Sequence, residues 1–435
     1  MDVFRIEGPV RLSGTVTVNG SKNATLPIMA AAILAPGKSI LKGAPRLSDI
    51  SVFSQLLTDI GCKVTTESDG DISIDSTTIG KPIGEYDIVR RMRAGICILG
   101  PLLTRCGRAS VSMPGGCAIG YRPVDIHLRG LRELGAQINL ENGYIVADAT
   151  RGLRGNEIFL GGPFGSTVLG TANVMMAATL AKGTTVIESA ACEPEIADLA
   201  NCLNTMGAKI TGIGSPRLLI EGVKQLSPFE YEVIPDRIEA GTFMVAAAIT
   251  KGCLHIRNCR LGDLMAVASL LRSIGVTVEA ENSGSPRRSE VKPGCIVACS
   301  GRVKPADITT QPHPGFPTDL QAQFMALLAL AEGNSVIVEK IFPDRFMHVA
   351  ELSRMAADLR KEGSTVIVSG VDKLIAAPVM ASDLRASAAL VLAGLAAEGT
   401  TTINRVYHID RGYEKIEERL NPVGAKITRE SDGSV

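Results

Sequence analysis

The 435-residue sequence has no tryptophan, and the aromatic residues together make up only 4% of it. A chain of this length is long enough for two or three domains with sizeable cores. With so few aromatic residues, those cores must be built from Ala, Val, Ile and Leu. Cores of that composition are typical of layered α/β proteins.

The chain also lacks an excess of either charge, since 45 basic residues balance 45 acidic ones. It therefore has no strong overall field that would attract nucleic acid or a membrane surface, and we expect neither as a partner. Any preference for an anionic ligand must come from a local cluster of basic side chains.

Long apolar runs and cysteine motifs are missing as well. The longest apolar run, "ASAALVLAGLAA", is too short to cross a bilayer. The opening "MDVFRIEGPV" is charged and has no apolar segment of the kind found in signal peptides. The 10 cysteines show neither metal-binding spacing nor a disulfide framework, which indicates reduced thiols in a cytoplasmic protein.

Motifs for the common cofactors are absent too. The sequence contains no GxxxxGKS phosphate loop and no GxGxxG motif after a strand. ATP and nicotinamide cofactors are therefore not indicated, and we predict no cofactor. His127, His348 and His408 lack the spacing of metal ligands, so we interpret them as structural or supporting residues and predict no metal site.

What the sequence does contain is six copies of one pattern, an Ala- and Leu-rich helical stretch followed by a glycine and a β-branched strand. The copies include "AATLAKGTTVIES" and "LAGLAAEGTTTINRV". Their glycines are Gly37, Gly107, Gly183, Gly252, Gly333 and Gly399. A second pattern of helix, glycine and strand follows each copy. Its glycines, which suit a left-handed residue after a helix, are Gly61, Gly135, Gly207, Gly275, Gly363 and Gly424.

The two helices of each copy differ in polarity. The first is apolar nearly all round, which is typical of a helix buried on every side. The second is amphipathic, as in "VDIHLRGLREL", where Leu128, Leu131 and Leu134 recur at helical spacing. We therefore predict an α/β (α+β) protein, a two-domain inside-out α/β barrel with helices inside and sheets outside. Six repeats of a two-helix, multi-strand unit would divide into three per domain.

Two stretches indicate where the domains meet. Helical periodicity lapses at "SPFEYEVIPDRIE", and the alternating segment "FRIEGPVRLSGTVTVNG" precedes the first copy. We expect the early segment to close the last copy from the other end of the chain. The predicted domains are residues 22–235, and residues 1–21 with 236–435, with the active site in the cleft between them.

Basic residues occupy two notable places in the first predicted domain. Lys22 and Asn23 follow the crossing between domains, and Lys22 is either a solvated lysine in a turn or a cation at the mouth of the cleft. In "VRRMRAGI", Arg93 and its neighbours Arg90 and Arg91 stand at the start of an apolar helix. A cation there opposes the helix dipole unless an anion lies nearby. This placement favours ligand binding by at least one of these arginines.

The stretch "MPGGCAIGYRPVD" surrounds Cys117 with glycines and places Arg122 and Pro123 behind it. The glycines predict a mobile loop, and Pro123 at a first helical position would deliver that loop to a helix N-terminus. A thiol in such a field should have a lowered pKa. From the residues alone, Cys117 is either one more structural thiol or a reactive group.

The second predicted domain offers a carboxylate and three arginines. Asp319 in "HPGFPTDLQAQF" either caps the following helix or acts as a base in the cleft. Arg345, Arg385 and Arg411 each lie between apolar stretches rather than on a polar face. With the basic residues of the other domain, they would form a positive cleft that selects a small polyanion such as a phosphate-carboxylate.

Together these motifs resemble the enolpyruvyl transferase family. The resemblance runs nearly end to end, and its cysteine loop is similar to that of members that use UDP-N-acetylglucosamine rather than a shikimate phosphate. The matching stretches are "GSKNATLP", "MRAGICILGPLL", "PGGCAIGYRPVDIHLRGLRELGA", "PDRIEAGTF", "PHPGFPTDLQAQF", "RFMHVAELSRM", "DLRASAALVLAG" and "YHIDRGYEKIE".

The resemblance implies a transferase that moves the enolpyruvyl group of phosphoenolpyruvate to the 3-hydroxyl of UDP-N-acetylglucosamine and releases phosphate. This is the first committed step of peptidoglycan synthesis. Cys117 matches the proton donor to the vinyl carbon, and Asp319 matches the proposed base on the 3-hydroxyl. Lys22 and Arg411 are the other two catalytic candidates. The substrate-binding candidates are Lys22, Asn23, Arg93, Arg122, Pro123, Val124, Asp125, Ile126, Asp319, Ile341, Arg345, Arg385 and Arg411.

Two stretches depart from the family pattern. "GGPFGSTVLGTANV" lacks a lysine that some members place near the nucleotide, and "ENSGSPRRSEVKPGC" is longer than usual and predicts a surface loop. Two other functions remain open: a transferase with another acceptor, and a catalytically silent paralogue that binds a UDP-sugar. The sequence does not indicate an oligomeric state.

Overall fold

The structure is a computed structural model that describes residues 2–67, 70–114, 124–281 and 293–431. Contacts divide these residues into two compact units. The first-half unit consists of residues 20–114 and 124–234, and the second-half unit of residues 2–19 and 235–431. The predicted surface loop within 281–295 lies mostly outside the described residues.

The described residues form 24 strands. In chain order they are β1 Asp2–Gly8, β2 Ser13–Thr17, β3 Lys38–Lys42, β4 Lys63–Thr66, β5 Ile72–Asp75, β6 Ile83–Gly84, β7 Arg108–Ser112, β8 Gln137–Glu141, β9 Tyr144–Asp148, β10 Glu157–Phe159, β11 Thr184–Glu188, β12 Lys209–Thr211, β13 Arg217–Glu221, β14 Glu230–Glu232, β15 Cys253–Arg257, β16 Thr277–Ala280, β17 Gly294–Ala298, β18 Ile308–Thr309, β19 Asn334–Val338, β20 Asp358–Glu362, β21 Thr365–Ser369, β22 Pro378–Met380, β23 Gly399–Asn404 and β24 Ile427–Ser431.

Helices alternate with these strands along the chain. The α-helices of the described ranges are α1 Lys22–Ala31, α2 Ser48–Asp59, α3 Tyr86–Val89, α4 Leu99–Cys106, α5 Asp125–Glu133, α6 Val168–Ala178, α7 Pro194–Thr205, α8 Arg237–Ile249, α9 Met265–Ser273, α10 Gln321–Leu328, α11 Met347–Arg354, α12 Leu384–Ala396 and α13 Ile416–Leu420. The 3₁₀ helices are Ala32–Leu34, Arg93–Ile98, Leu261–Leu264, Thr318–Leu320, Val406–Arg411 and Asn421–Val423.

The strands form six four-stranded sheets that share one pairing pattern. In every sheet one edge strand pairs in parallel with its neighbour and the remaining pairs are antiparallel, as in β6-β7-β9-β8. The first-half unit holds this sheet together with β10-β11-β13-β12 and β14-β3-β5-β4. The second-half unit holds β16-β17-β15-β2, β18-β19-β21-β20 and β22-β23-β1-β24. The six predicted repeats are therefore confirmed, with three in each unit.

The first helix of a repeat is buried on all sides, as its apolar sequence predicts. In α12 every residue from Arg385 to Leu395 is buried, and in α6 every residue from Gly170 to Ala178. The second helices, such as α5 and α9, bury only one face. Each unit has a hydrophobic core of its own, so the inside-out arrangement of helices within sheets is confirmed in each.

The glycines of the second pattern adopt a positive φ at the ends of helices, as predicted, except at Gly363. The sequence pattern predicts that Gly363 follows a helix, but Gly363 lies in the turn between β20 and β21. The residue that ends the helical segment after α11 is Ala356, at φ 66°. Because alanine rarely adopts this conformation, sequence reasoning selected the wrong residue.

The N-terminal segment joins two different sheets of the second-half unit. β1 pairs with β23 and β24, so it closes the last repeat from the other end of the chain, as predicted. β2 instead extends the sheet of the fourth repeat by pairing in parallel with β15. The chain leaves this unit after Asn19 and returns to it at Pro235.

A buried glutamate fixes the end of this N-terminal segment. The Glu239 carboxylate, in the first turn of α8, accepts a hydrogen bond of 2.6 Å from the backbone N–H of Asn19. Its other oxygen lies 3.1 Å from Nη1 of Arg419. Burial raises the pKa of Glu239 from 4.5 to about 7, although Arg419 and the Asn19 hydrogen bond act in the opposite direction. Glu239 therefore binds a proton in the folded protein at a pH where the unfolded chain has lost it.

We expect Glu239 to reduce stability as the pH rises between its unfolded pKa of 4.5 and its folded pKa of about 7. Glu239→Gln cannot ionise, so the variant should gain on the order of 3 kcal/mol in unfolding free energy relative to wild type across this window. Urea unfolding at pH 4.5 and pH 8 measures this difference. The exposed Glu332→Gln serves as the control for loss of a carboxylate. If the unfolding free energies of Glu239→Gln and wild type differ by the same amount at both pH values, the raised pKa of Glu239 is contradicted.

Candidate active site

Three of the predicted site residues, Cys117, Arg122 and Pro123, lie outside the described residues. The structure therefore gives no position for the cysteine loop. The other predicted site residues lie within the described ranges, in one unit or the other.

In the first-half unit, Lys22 is the first residue of α1 and is buried. Ser21 caps this helix by accepting a hydrogen bond from the Ala24 N–H, which sets the direction of the first turn. The Lys22 ammonium group lies 2.8 Å from a carboxylate oxygen of Asp49, which is also buried. A lysine at a helix N-terminus opposes the helix dipole, so its position depends on nearby anions. The interpretation of Lys22 as a solvated turn residue is wrong. Asn23 follows it and is half-buried.

Arg93 is the first residue of the 3₁₀ helix Arg93–Ile98 and is half-buried. Its charge acts on two buried groups. Burial, and then Arg93, lower the pKa of His127 to about 3. Burial also raises the pKa of Cys97 to about 12, against the effect of Arg93. The imidazole and the thiol are therefore both neutral at pH 7, and Arg93 contributes the charge at this position.

A buried amide holds the segment that carries Arg93. The Asn173 side chain accepts from the Gly100 N–H at 2.9 Å and donates to the Ile96 carbonyl at 3.0 Å. Its Nδ2 also lies 3.0 Å from Nδ1 of His127. His127 therefore acts as a structural residue, as predicted, by linking α5 to α6 beneath this segment.

The predicted positions Val124, Asp125 and Ile126 lie at the N-terminus of α5. Val124 is buried, Asp125 is exposed, and Ile126 is half-buried and packs against Gly162. A Cβ atom at Gly162 would come within 2.6 Å of Cδ1 of Ile126, so a larger residue there would displace the end of this side chain. Asp125 is a favourable residue in the first turn of a helix.

In the second-half unit, Asp319 lies between two buried arginines. One carboxylate oxygen is 2.7 Å from Nη1 of Arg345, and the other is 3.7 Å from Nε of Arg385. Asp319 belongs to the 3₁₀ helix Thr318–Leu320, and α10 begins two residues later without a side-chain cap from Leu320. The structure thus brings together Asp319, Arg345 and Arg385. The alternative that Asp319 only caps the helix is wrong, because its carboxylate contacts both arginines.

Glu339 holds the Arg345 side of this cluster. One of its oxygens accepts from the Thr310 hydroxyl at 2.7 Å and from the Ile341 N–H at 2.8 Å. The other accepts from the Thr318 hydroxyl at 2.9 Å, and Thr318 in turn accepts from Arg345. The predicted sugar-site residue Ile341 is therefore fixed through its backbone N–H and is half-buried.

Arg385 is held on the opposite side of Asp319. It is only 2% exposed, and its guanidinium carbon lies 5.3 Å from the centre of the Tyr413 ring. Burial acts to lower the pKa of Arg385, but its neighbours raise it instead, the Tyr413 side chain first and then the Asp319 carboxylate. Nε and Nη1 of Arg385 are buried without a hydrogen-bond acceptor in the described part of the chain. Buried N–H groups of this kind suit an anionic ligand.

A capping aspartate sets the start of the helix that carries Arg385. Asp383 accepts hydrogen bonds from the N–H groups of Arg385 at 2.8 Å and Ala386 at 3.1 Å. It also contributes to raising the pKa of Arg345, which burial alone would lower. The same side chain therefore fixes one arginine by geometry and stabilises the charge of the other.

Arg411 is the last residue of the 3₁₀ helix Val406–Arg411 and is half-buried. Its charge reaches His408, whose pKa is lowered by burial and then by Arg411. The arginine thus stands on the same short helix as a neutral histidine.

Sequence reasoning missed several residues that hold these side chains. Asp49, Glu339 and Asp383 are carboxylates at separate places in the sequence. Tyr413 and Gln323 are polar residues within buried segments, and the Gln323 amide donates to the Asp319 carbonyl at 3.0 Å. Only Asp383 gave a signal, since an aspartate directly before an apolar helix is a typical N-cap. Within the described ranges, no group of three or more potential ligands is arranged to hold a metal ion. Nor does any helix there combine the length and apolarity needed to cross a bilayer.

Comparison with known families gives a match over residues 6–420 to EPSP synthase (3-phosphoshikimate 1-carboxyvinyltransferase). The chain belongs to the EPSP synthase family. A curated relative from Methylacidiphilum infernorum, named UDP-N-acetylglucosamine 1-carboxyvinyltransferase, is 52% identical over 99% of both chains. A relative of the same name from Trichlorobacter lovleyi is 52% identical over 99% of this chain and 100% of its own.

Solved structures of this family share the fold. The enolpyruvyl transferase NikO from Streptomyces tendae superposes with a TM-score of 0.87 at 23% identity and covers 99% of each chain. EPSP synthase from Acinetobacter baumannii superposes with a TM-score of 0.78 at 19% identity, over 99% of this chain and 100% of that one. Family membership fixes the class of chemistry as carboxyvinyl transfer, and the protein is a transferase.

Proposed function

We propose that this EPSP synthase family member transfers the enolpyruvyl group of phosphoenolpyruvate to the 3-hydroxyl of UDP-N-acetylglucosamine and releases phosphate. The observation that carries the proposal is the identity of about half over the full length to proteins named for this reaction. The reaction is the first committed step of peptidoglycan synthesis.

The charge pattern supports two anionic substrates. Phosphoenolpyruvate carries a phosphate and a carboxylate, and a UDP-sugar carries a diphosphate. Lys22 and Arg93 in one unit, and Arg345, Arg385 and Arg411 in the other, supply cations in a chain whose net formal charge is zero. Arginine forms paired hydrogen bonds to such groups, so these side chains suit both binding and orientation.

The reaction needs an acid and a base at different atoms. We assign Cys117 as the acid that protonates the vinyl carbon, which leaves an oxocarbenium-like centre on the adjacent carbon. The 3-hydroxyl then attacks this centre while Asp319 accepts the hydroxyl proton. A tetrahedral intermediate results. Loss of phosphate, together with a proton from the new methyl group, restores the vinyl group on the sugar.

The contacts of Asp319 suit the role of a fixed base. The 2.7 Å contact to Arg345 sets the orientation of its carboxylate, and Arg385 stands on the other side. A base held in this way loses little entropy when the hydroxyl arrives. The same arginines stabilise the charge that develops on a departing phosphate. Lys22 and Arg411 act with them on phosphoenolpyruvate.

We further propose that the chain works as two three-repeat domains, 22–235 and 1–21 with 236–435, that supply residues to one active site. The remaining candidates, Asn23, Arg122, Pro123, Val124, Asp125, Ile126 and Ile341, bind the substrates. The protein would act in the cytoplasm without nucleic acid, membrane or cofactor. The free thiols of all cysteines in the described ranges support a reducing compartment.

Phosphate release by the purified protein tests the acceptor. With phosphoenolpyruvate present, UDP-N-acetylglucosamine should stimulate phosphate release, whereas shikimate 3-phosphate should leave it at the rate without acceptor. The matched control omits phosphoenolpyruvate. Phosphate release that shikimate 3-phosphate stimulates and UDP-N-acetylglucosamine does not would establish shikimate 3-phosphate as the acceptor. Release with neither, despite binding of the UDP-sugar in calorimetry, would establish a silent paralogue.

A further inference from the structure

The 3₁₀ helix Val406–Arg411 carries the proposed phosphoenolpyruvate ligand Arg411, yet it has little stability of its own. It is six residues long, whereas 3₁₀ helices longer than a few residues are uncommon. Left-handed residues stand on both sides of it, Arg405 at φ 60° and Lys415 at φ 44°. The position of Arg411 therefore depends on contacts that this helix makes with the rest of the second-half unit.

The Arg429 side chain binds this helix at Asp410, the residue directly before Arg411. Nη2 of Arg429 lies 2.6 Å from one carboxylate oxygen of Asp410, and Nη1 lies 3.0 Å from the other. This is a paired contact between a planar guanidinium and a carboxylate, the strongest and most directional form of ion pair. Lysine cannot reproduce it, because an ammonium group is a point charge.

Arg429 is itself fixed by three other contacts. Its Nη1 also lies 3.3 Å from a carboxylate oxygen of Asp2 in β1. Its Nε donates to Glu417 of α13 at 2.7 Å, and its guanidinium carbon lies 4.8 Å from the centre of the Phe4 ring. Arg429 stands in β24 opposite Phe4 in β1, so its backbone is part of a sheet ladder. The arginine therefore joins the rigid sheet of the last repeat to the helix that carries Arg411.

We propose that Arg429 is a positioning residue for phosphoenolpyruvate: by holding Asp410 in a paired contact, it fixes the orientation of Arg411. The inference rests on the proposed function, because it assumes that Arg411 binds phosphoenolpyruvate. Arg429 touches neither substrate. Its effect reaches the reaction only through the direction of the neighbouring arginine.

Arg429→Lys keeps the charge but removes the paired contact. We expect it to raise the KM for phosphoenolpyruvate about tenfold, since a small misplacement of a binding group is costly. The KM for UDP-N-acetylglucosamine should change little, whereas the Tm should fall, because the lysine also loses the contacts of Arg429 with Glu417 and Asp2. Arg5→Lys is the matched control: Arg5 lies on the same sheet and pairs with Glu430 at 2.7 Å. That variant should keep both KM values.

Asp410→Asn tests the same contact from the other side and decides the matter if Arg429→Lys folds poorly. It should also raise the KM for phosphoenolpyruvate selectively. In the double variant of Arg429→Lys with Arg411→Ala, the first change should add nothing to the second. Unchanged kinetics in both single variants, equal rises in both KM values, or additive effects in the double variant would overturn the inference.

The variant Arg411→Ala separates this inference from the proposed function. If Arg411→Ala raises the KM for phosphoenolpyruvate and Arg429→Lys and Asp410→Asn do not, only the positioning role fails. If Arg411→Ala itself leaves that KM unchanged, the proposed role of Arg411 fails, and the inference fails with it.

Discussion

Cys117→Ser is expected to lower kcat by about 10²–10⁴-fold, because the hydroxyl of serine is a far weaker acid than a thiol and cannot protonate the vinyl carbon. The Tm and the affinity for UDP-N-acetylglucosamine should stay close to wild type, since the substitution changes a single side-chain atom and keeps an uncharged side chain of the same shape. Steady-state kinetics of phosphate release measures the effect. Cys106→Ser is the matched control, because Cys106 is an exposed thiol in the same half of the chain.

Alkylation gives a second measure of the same residue. An epoxide phosphonate of the fosfomycin type resembles a small phosphate and should attach to Cys117. Burial raises the pKa of Cys62 to about 11 and that of Cys97 to about 12, so these thiols stay protonated and react slowly at neutral pH. Peptide mapping should therefore find the label on the Cys117 peptide. A Cys117→Ser variant with the wild-type rate, together with no label on this peptide of the wild-type protein, would refute the assignment.

Asp319→Asn should lower kcat by about 10²–10⁴-fold, because the amide cannot accept the proton of the 3-hydroxyl. The amide oxygen can still accept the hydrogen bond from Arg345, so binding of UDP-N-acetylglucosamine should remain measurable by calorimetry. The change leaves the buried Arg345 and Arg385 without their shared carboxylate, so we also expect a lower Tm. Binding and rate are therefore measured below the unfolding transition of the variant.

Asp372→Asn is the matched control for Asp319→Asn. Asp372 also pairs with an arginine of the same unit, Arg302, at 2.7 Å, but its side chain is 93% exposed. This variant should keep the wild-type kcat, since exposed ion pairs contribute little. If Asp319→Asn binds the UDP-sugar and keeps a rate within about tenfold of wild type, Asp319 is not the base.

The repeat architecture could be predicted because it depends on patterns of residues that lie close together in the sequence. Buried helices need apolar residues on every side, and helix ends commonly need glycine, so both leave periodic marks in the sequence. The error at Gly363 shows the limit of this reasoning. There the left-handed residue was Ala356, 23 residues after Gly333, and alanine carries no local signal for that conformation. Only the packed structure identifies it.

The partners of the predicted site residues were much harder to predict. Asp319, Arg345 and Arg385 stood out because charged residues between apolar stretches need an explanation. The residues that hold them gave no comparable signal. Glu339 and Tyr413 belong to other segments of the chain. The hydrogen bonds of Glu339 form within its own repeat once that repeat folds, and those of Tyr413 join it to Thr242 and Gln323 of other repeats. In the sequence, Arg429 is one charged residue in a polar strand. Its contacts with Phe4 and Asp410 become visible only in the folded structure.

The most direct test of the account is the structure of the product that the purified protein makes. Phosphoenolpyruvate labelled with ¹³C at its vinyl carbons would be incubated with UDP-N-acetylglucosamine, and the product analysed by NMR. The account predicts that the label appears as an enol ether on the 3-oxygen of the sugar, with one phosphate released for each ether formed. Recovery of unchanged UDP-N-acetylglucosamine, or attachment of the label elsewhere on the nucleotide sugar, would contradict it.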